Sequence, residues 1–122
     1  MVDQGQRRPL VLRGVRFASG RSVLTEESYA TLDEVAASLE AHPEIRVEIA
    51  GHTDATGSAE VNRRLSLARA RAVMMYLARN GIAPERMEAR GYGPDRPIAT
   101  NGTPEGRARN RRVELSIIEG GR

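Results

Sequence analysis

A chain of 122 residues is long enough for one domain with one real core and too short for two. Charged residues make up 29% with a formal net charge of +3, and the 39% apolar content includes one Phe, three Tyr and no Trp, so the expected core is aliphatic. The absence of Cys excludes a disulfide framework and a thiolate metal site, and no apolar run approaches the ~20 residues that a membrane span needs.

Residues 1–9 are polar with Gly5 and Pro9, lack the apolar stretch of a signal peptide, and read as a disordered segment. Residues 10–17, LVLRGVRF, predict a strand with Val11, Val15 and Phe17 on one face, and Gly14 hints at a bulge or a close backbone approach. A loop of small residues follows over 18–24. Thr25 is the expected N-cap of a first helix over 26–41, whose apolar positions Leu32, Val35, Ala36 and Leu39 recur at helical spacing, with Pro43 beyond its end. Ile45, Val47 and Ile49 alternate with Arg46 and Glu48, which predicts a strand with one face against a helix layer, ending at Gly51.

The turn HTDATG comes next, with Ser58 as candidate N-cap of a second helix over 59–80 that Gly81 terminates. Its apolar stripe is Val61, Leu65, Ala68, Ala72, Val73, Tyr76 and Leu77. A brief strand over 87–93, a Pro- and Gly-rich loop, a short helix or turn over 105–110 and a last alternating strand at Val113, Leu115 and Ile117 complete the pattern. The order β-α-β-α-β-β predicts an α+β fold, a two-layer sandwich with a four-stranded mixed sheet, both helices on one face and the other face more exposed. The domain is expected over 10–119, with 120–122 a frayed tail.

The stretch IAGHTDATGSAEVNRRLSLARAR joins a strand end, a carboxylate, a glycine turn and a helix on which Asn62, Ser66 and Arg69 share one face. His52, Asp54 and either Ser58 or Ser66 contain the residue types of a hydrolytic triad, but their convergence is not given by spacing and no nucleophile elbow is present. His52 and Asp54 lack further nearby ligands for a metal, and the turn has neither P-loop nor dinucleotide glycine pattern. All nineteen basic residues are arginine, clustered at Arg63 and Arg64 and at Arg107, Arg109, Arg111 and Arg112. With interleaved acids and few aromatics, these suit a solvated, salt-bridged face better than nucleic acid. What remains is a site with an acidic arm, Asp54, and a guanidinium arm, Arg69. That pair suits either a zwitterionic ligand or a structural salt bridge between the two.

The ordered motifs GHTDxxG…N…LSxxRAxxV and GYG…P…N…EGRxxNRRVE, spanning Val15 to Ile118, closely resemble the OmpA-like peptidoglycan-binding domain family. That family includes the C-terminal domains of outer-membrane porin-like proteins, the peptidoglycan-associated lipoprotein and flagellar stator subunits. The resemblance implies a non-enzymatic domain without cofactor or metal, binding the peptidoglycan stem peptide through meso-diaminopimelate. It implies that Asp54 accepts from the ligand ammonium and Arg69 grips its carboxylate. Thr53 and the segment after it, Ala55 included, would supply backbone hydrogen bonds, and Asn62 would order the site. Asn110 and Arg112 match positions that line or brace the pocket, with His52, Ser66 and Arg111 in support. Gly20 and Arg21 depart from the family pattern in the 18–24 loop. The implied location is the periplasm, with any membrane tether in a part of the protein beyond this chain. An envelope-complex interaction domain with a vestigial wall site is the alternative.

Overall fold

In a computed structural model describing residues 10–17 and 20–119, the alternation of Val47 and Ile49 with Arg46 and Glu48 produces the central strand. The expectations for segment 1–9, for the tail 120–122 and for Ala18 and Ser19 lie outside the described residues. In chain order the elements are β1 (Leu10–Val11), α1 (Ser28–Ala41), β2 (Arg46–His52), α2 (Ala59–Arg79), a 3-10 turn (Pro84–Arg86), β3 (Met87–Gly93), α3 (Pro104–Asn110) and β4 (Arg112–Glu119). The sheet order is β1-β4-β2-β3, with β2 parallel to β3 and β4 antiparallel to both β2 and β1. This is the expected α+β architecture with a four-stranded mixed sheet. Val47 and Ile49 are buried under the helices with Leu32, Leu39, Val73 and Leu77, an aliphatic core as the composition requires.

The first strand is much shorter than the predicted 10–17. The chain turns at Arg13 and Gly14, where Arg13 N–H donates to the Val11 carbonyl and Gly14 has φ +87°. Thr31 Oγ1 of α1 donates to the Arg13 carbonyl and would sit 2.9 Å from a Cβ on Gly14, so the glycine marks both a left-handed turn and a close approach. Phe17 then pairs with Leu24 in an isolated antiparallel bridge.

Helix α1 begins later than the predicted residue 26, and Thr25 does not cap it. Thr25 Oγ1 donates instead to the Arg16 carbonyl, while buried Ser28 accepts from Arg16 N–H at 2.7 Å and donates to Arg16 O at 2.9 Å. The partners offered by the neighbouring 15–17 segment outcompete the local cap.

Helix α2 starts as predicted at an Ser58 cap that accepts from Val61 N–H, and Gly81 (φ +99°) follows its end. Its buried line, however, is Ser66, Ala70, Val73 and Leu77, and Val61 is 57% exposed. The helix is rotated from the predicted stripe because two glycines lie beneath it. Gly51 of β2 and Gly91 of β3 are register partners, and a Cβ on them would stand 2.1 Å from the Ser66 carbonyl oxygen and 2.4 Å from Leu67 N. Small residues must face such a contact, so Ser66 and Ala70 turn inward.

The far face of the sheet is partly wet along Glu48, Glu88 and Arg90 but closed at Ala50 and His52, which are 2% and 3% exposed. There the expected exposed face is replaced by packing: the Tyr92 ring stacks on His52 with centroids 5.4 Å apart.

Candidate functional site

At the end of β2 the ladder continues for one bond, Thr53 N–H to the Gly93 carbonyl, and then breaks into the HTDATG turn. Thr53 Oγ1 donates to the Asp54 carbonyl. Asp54 folds back on the turn: its Oδ1 accepts the Thr56 N–H at 2.9 Å, the side-chain-to-backbone bond two residues on that favours Asp at such positions. Asn62 from the first turns of α2 donates Nδ2 to the Thr56 carbonyl, and Asn101 accepts from Ala55 N–H at 3.3 Å. The acid is therefore set by its own backbone, by the helix and by the loop after β3.

The second Asp54 oxygen accepts from Arg111 Nη1 at 2.7 Å. Burial by itself would raise this carboxyl, but the Thr56 N–H and the Arg111 guanidinium outweigh it and hold its pKa below the usual carboxylate range. Asp54 is an anion at neutral pH.

Arg69 follows a different logic. Its Nε donates to the Arg21 carbonyl at 2.8 Å, and its guanidinium lies 5.0 Å above the Phe17 ring. Burial, and then the nearby Arg111 charge, lower its pKa. Neither Nη has a hydrogen-bond partner among the described residues. Of the two alternatives left by the sequence, an Asp54–Arg69 salt bridge is not what forms: Asp54 is paired with Arg111, and Arg69 is held by Arg21 and Phe17.

Arg69 and Arg111 line one cleft of about 360 Å³ with Phe17, Gly51, Ala108 and Arg112. Arg112 is buried with each of its three nitrogens engaged, donating Nε to Glu114 at 2.7 Å, Nη1 to the Asn110 carbonyl and Nη2 to the Arg96 carbonyl. Asn110 has no exposed surface: its Oδ1 accepts from Ile98 and Ala99 N–H, and its Nδ2 donates to Ala99 O and Asn101 Oδ1. Both residues brace the loop after β3 against β4 and α3, and through Asn101 they brace the Asp54 turn.

His52, Asp54 and the two serines do not assemble a triad. Among the described residues neither buried ring nitrogen of His52 has a hydrogen-bond partner, and Nε2 lies 3.3 Å from Glu114 Oε1. Burial, with Arg112 alongside, lowers its pKa to about 4, so it is neutral at pH 7. Ser66 donates to the Arg63 carbonyl and accepts from Gly93 N–H, which ties α2 to the end of β3, and Ser58 is engaged as a cap. Among the described residues no group of three or more His, Cys, Asp or Glu could hold a metal. Of the basic clusters, Arg63 pairs with Asp95 and Arg64 with Glu60 on the surface.

Three contributors were not among the expected site residues: Phe17, the carbonyl of Arg21 and the side chain of Asn101. Phe17 carries a signal as the chain's lone Phe, but its strand-like neighbours place it on a strand face with Val11 and Val15. A backbone carbonyl has no sequence signature at all.

Residues 16–111 match the model of the OmpA family. Over 103 residues the chain is 44% identical to outer membrane porin F of Pseudomonas fluorescens, covering 84% of this chain and 32% of that protein. It is also 44% identical over 103 residues to the peptidoglycan-binding protein ArfA of Mycobacterium tuberculosis, with the same 84% and 32% coverage. The crystal structure of the peptidoglycan-associated lipoprotein from Burkholderia pseudomallei superposes with a TM-score of 0.78 at 32% identity, over 84% of this chain and 87% of that one. The chain spans about a third, 32%, of the length of the two curated relatives.

Proposed function

Because the chain belongs to the OmpA family, we propose that it binds peptidoglycan non-covalently through a diaminopimelate-bearing stem peptide and anchors an envelope protein to the cell wall. One observation carries the reading: Asp54 and Arg69 are not partners of each other, and among the described residues neither Nη group of Arg69, beside a cleft, has a hydrogen-bond partner. Asp54 receives the ligand ammonium and Arg69 takes a carboxylate in bidentate fashion. Thr53 and Ala55 offer backbone groups, Asn62 fixes the turn, and Asn110, Arg112, Ser66 and His52 hold the frame. The site binds and does no chemistry. Its place is the periplasm, where the wall lies, with the domain attached to the envelope.

Specificity on this reading comes from charge pairing at a partly dry site. A ligand lacking its ammonium or its carboxylate leaves Asp54 or Arg69 without compensation after its water has been displaced. The test is a titration of the domain with a diaminopimelate-containing stem tripeptide, following backbone amide shifts. Shifts confined to Thr53–Arg69 and the 107–112 segment are expected, saturating with Kd on the order of 1 mM or tighter. Asp54→Ala and Arg69→Ala should each weaken binding by at least about tenfold and abolish sedimentation with purified sacculi, with circular dichroism unchanged. Variants that still sediment would assign the binding to another surface.

A further inference from the structure

The chain's aromatic side chains are one Phe and three Tyr, and Phe17, Tyr29 and Tyr76 all meet on one face of α2. Phe17 lies under the Arg69 guanidinium at the cleft. Tyr29, in the first turn of α1, stacks on Tyr76 of α2 with centroids 4.9 Å apart and planes 7° from parallel. Arg69 and Tyr76 are two helical turns apart, which returns to the same face about 10 Å further along. Ala72 comes between them on that face, and its methyl leaves the surface there shallow. The opposite wall is tied together as well. Ser28, next to Tyr29, is hydrogen-bonded to both the N–H and the carbonyl of Arg16, next to Phe17. The cleft and the tyrosine pair are therefore two stations on one track.

The pair is rigid and open. The Tyr76 hydroxyl donates to Asp33 Oδ1 at 2.6 Å, which fixes the ring, while Asp33 Oδ2 has no hydrogen-bond partner among the described residues. Tyr29 is 38% exposed. An aromatic face with an acceptor carboxylate at its edge suits a ligand that has one C–H face and a polar rim. The axial C–H groups of a pyranose carry partial positive charge and rest on the negative face of a ring, and a hydroxyl or acetamido N–H donates to a carboxylate. A stack that only pinned α1 to α2 would need neither the exposed ring nor the spare carboxylate oxygen.

We propose that Tyr29, Tyr76 and Asp33 form a sugar-binding subsite for an N-acetylated pyranose of the wall glycan, on the face of α2 that also carries Arg69. The inference rests on the peptidoglycan reading and extends it from the stem peptide to the glycan. Two residues separate diaminopimelate from the sugar, roughly 7 Å of extended chain before the lactyl ether is added, which matches the ~10 Å between the two stations. With diaminopimelate in the cleft, the first sugar reaches the tyrosines. The contact adds affinity and sets the direction in which the stem leaves the cleft.

The experiment compares two ligands by amide-shift titration: the diaminopimelate tripeptide acylated with lactate alone, and the same tripeptide on N-acetylmuramic acid, which adds the sugar ring. The unaltered domain should bind the sugar-bearing ligand about three- to tenfold more tightly, the scale of one aromatic contact. That ligand alone should shift the amides of the first turns of α1 and the last turn of α2. In Tyr29→Ala the two ligands should bind equally, whereas Tyr29→Trp, which keeps a stacking face, should retain the difference. Asp33→Asn leaves the stack and its bond to Tyr76 in place and should reduce the advantage of the sugar without a change in circular dichroism. Equal affinity of the unaltered domain for both ligands overturns the subsite and leaves the peptidoglycan reading standing. So does an advantage that survives in Tyr29→Ala. No response to either ligand overturns both.

Discussion

His52 shows how a residue lining the proposed site can be kept neutral by burial and make the fold sensitive to acid. The ring is 3% exposed and stacked on Tyr92, with the Glu114 carboxylate nearby and the Arg112 and Arg96 charges opposing its protonation. Burial, and next Arg112, lower its pKa from 6.5 to about 4, so the folded protein prefers the neutral imidazole. The unfolded chain protonates first as pH falls through 6.5, and that difference in bound protons favours unfolding. His52 therefore contributes nothing adverse above about pH 7 and progressively destabilises the fold from 6.5 down to about 4. Asp54 acts lower on the scale. Its carboxyl is held below 3.8, so its contribution is present above that value and is lost only as pH falls through the depressed pKa. Denaturant unfolding of the domain at pH 7 and pH 5 should then differ by ~1–2 kcal/mol, and His52→Gln should flatten the slope whatever it does to absolute stability. An unchanged slope in the variant would move the acid sensitivity to another group.

At the scale of elements, the site depends on how closely α2 can lie on the sheet. Gly51 and Gly91 are side by side in β2 and β3, and the Ser66–Leu67 backbone occupies the space their side chains would fill. This contact fixes the rotation of α2 and so aims Arg69 at the cleft. Gly91→Ala should destabilise the domain by about 2–3 kcal/mol or more, because the added Cβ meets helix backbone and not a flexible side chain. It should also shift the amide of Gly93, which donates to Ser66 Oγ. A Gly91→Ala protein of full stability would mean that α2 can slide off without loss. The same contact explains what was legible beforehand. Alternation at Val47 and Ile49, the Ser58 cap and Gly81 gave β2 and α2 nearly to the residue, since each signal is local. The expected stripe of α2 holds at Val73 and Leu77 but not in the first half of the helix, where apolar periodicity favours Leu65 and Val61 and a glycine-paved sheet selects Ser66 and Ala70. Thr25 was read as a cap for a similar reason: its true partner, the Arg16 carbonyl, is distant in helix terms and invisible to a local rule. Asp54 and Arg69 stand out as candidate site residues from motif and spacing. That Asp54 pairs with Arg111, which is 57 positions away, depends on β4 and α3 returning to the end of β2.

For the whole molecule, the arrangement argues for holding by number more than by strength. The surface arginines largely face acids, as in Arg63–Asp95, Arg64–Glu60 and Arg90–Glu48, and the net charge is only +3, so long-range attraction to an anionic wall is weak. On the proposed reading, the cleft of about 360 Å³ takes the end of one stem peptide and little more, which limits the affinity of a single contact. A wall, however, repeats that end many times, and on the same reading a domain tethered beside it and released from one stem meets another before it diffuses away. Two copies of the domain joined by a flexible Gly/Ser linker should therefore remain on washed sacculi when the single domain elutes. The gain in apparent affinity should be about 10²-fold or more where the linker spans two stems. Disabling one copy with Asp54→Ala must return the linked pair to single-domain behaviour, because both copies have to engage. Free stem tripeptide near the single-domain Kd should elute the single domain, whereas the linked pair should require far higher concentrations. If one disabled copy leaves retention unchanged, the hold comes from a surface outside the cleft, and the anchoring role of the Asp54–Arg69 site falls with it.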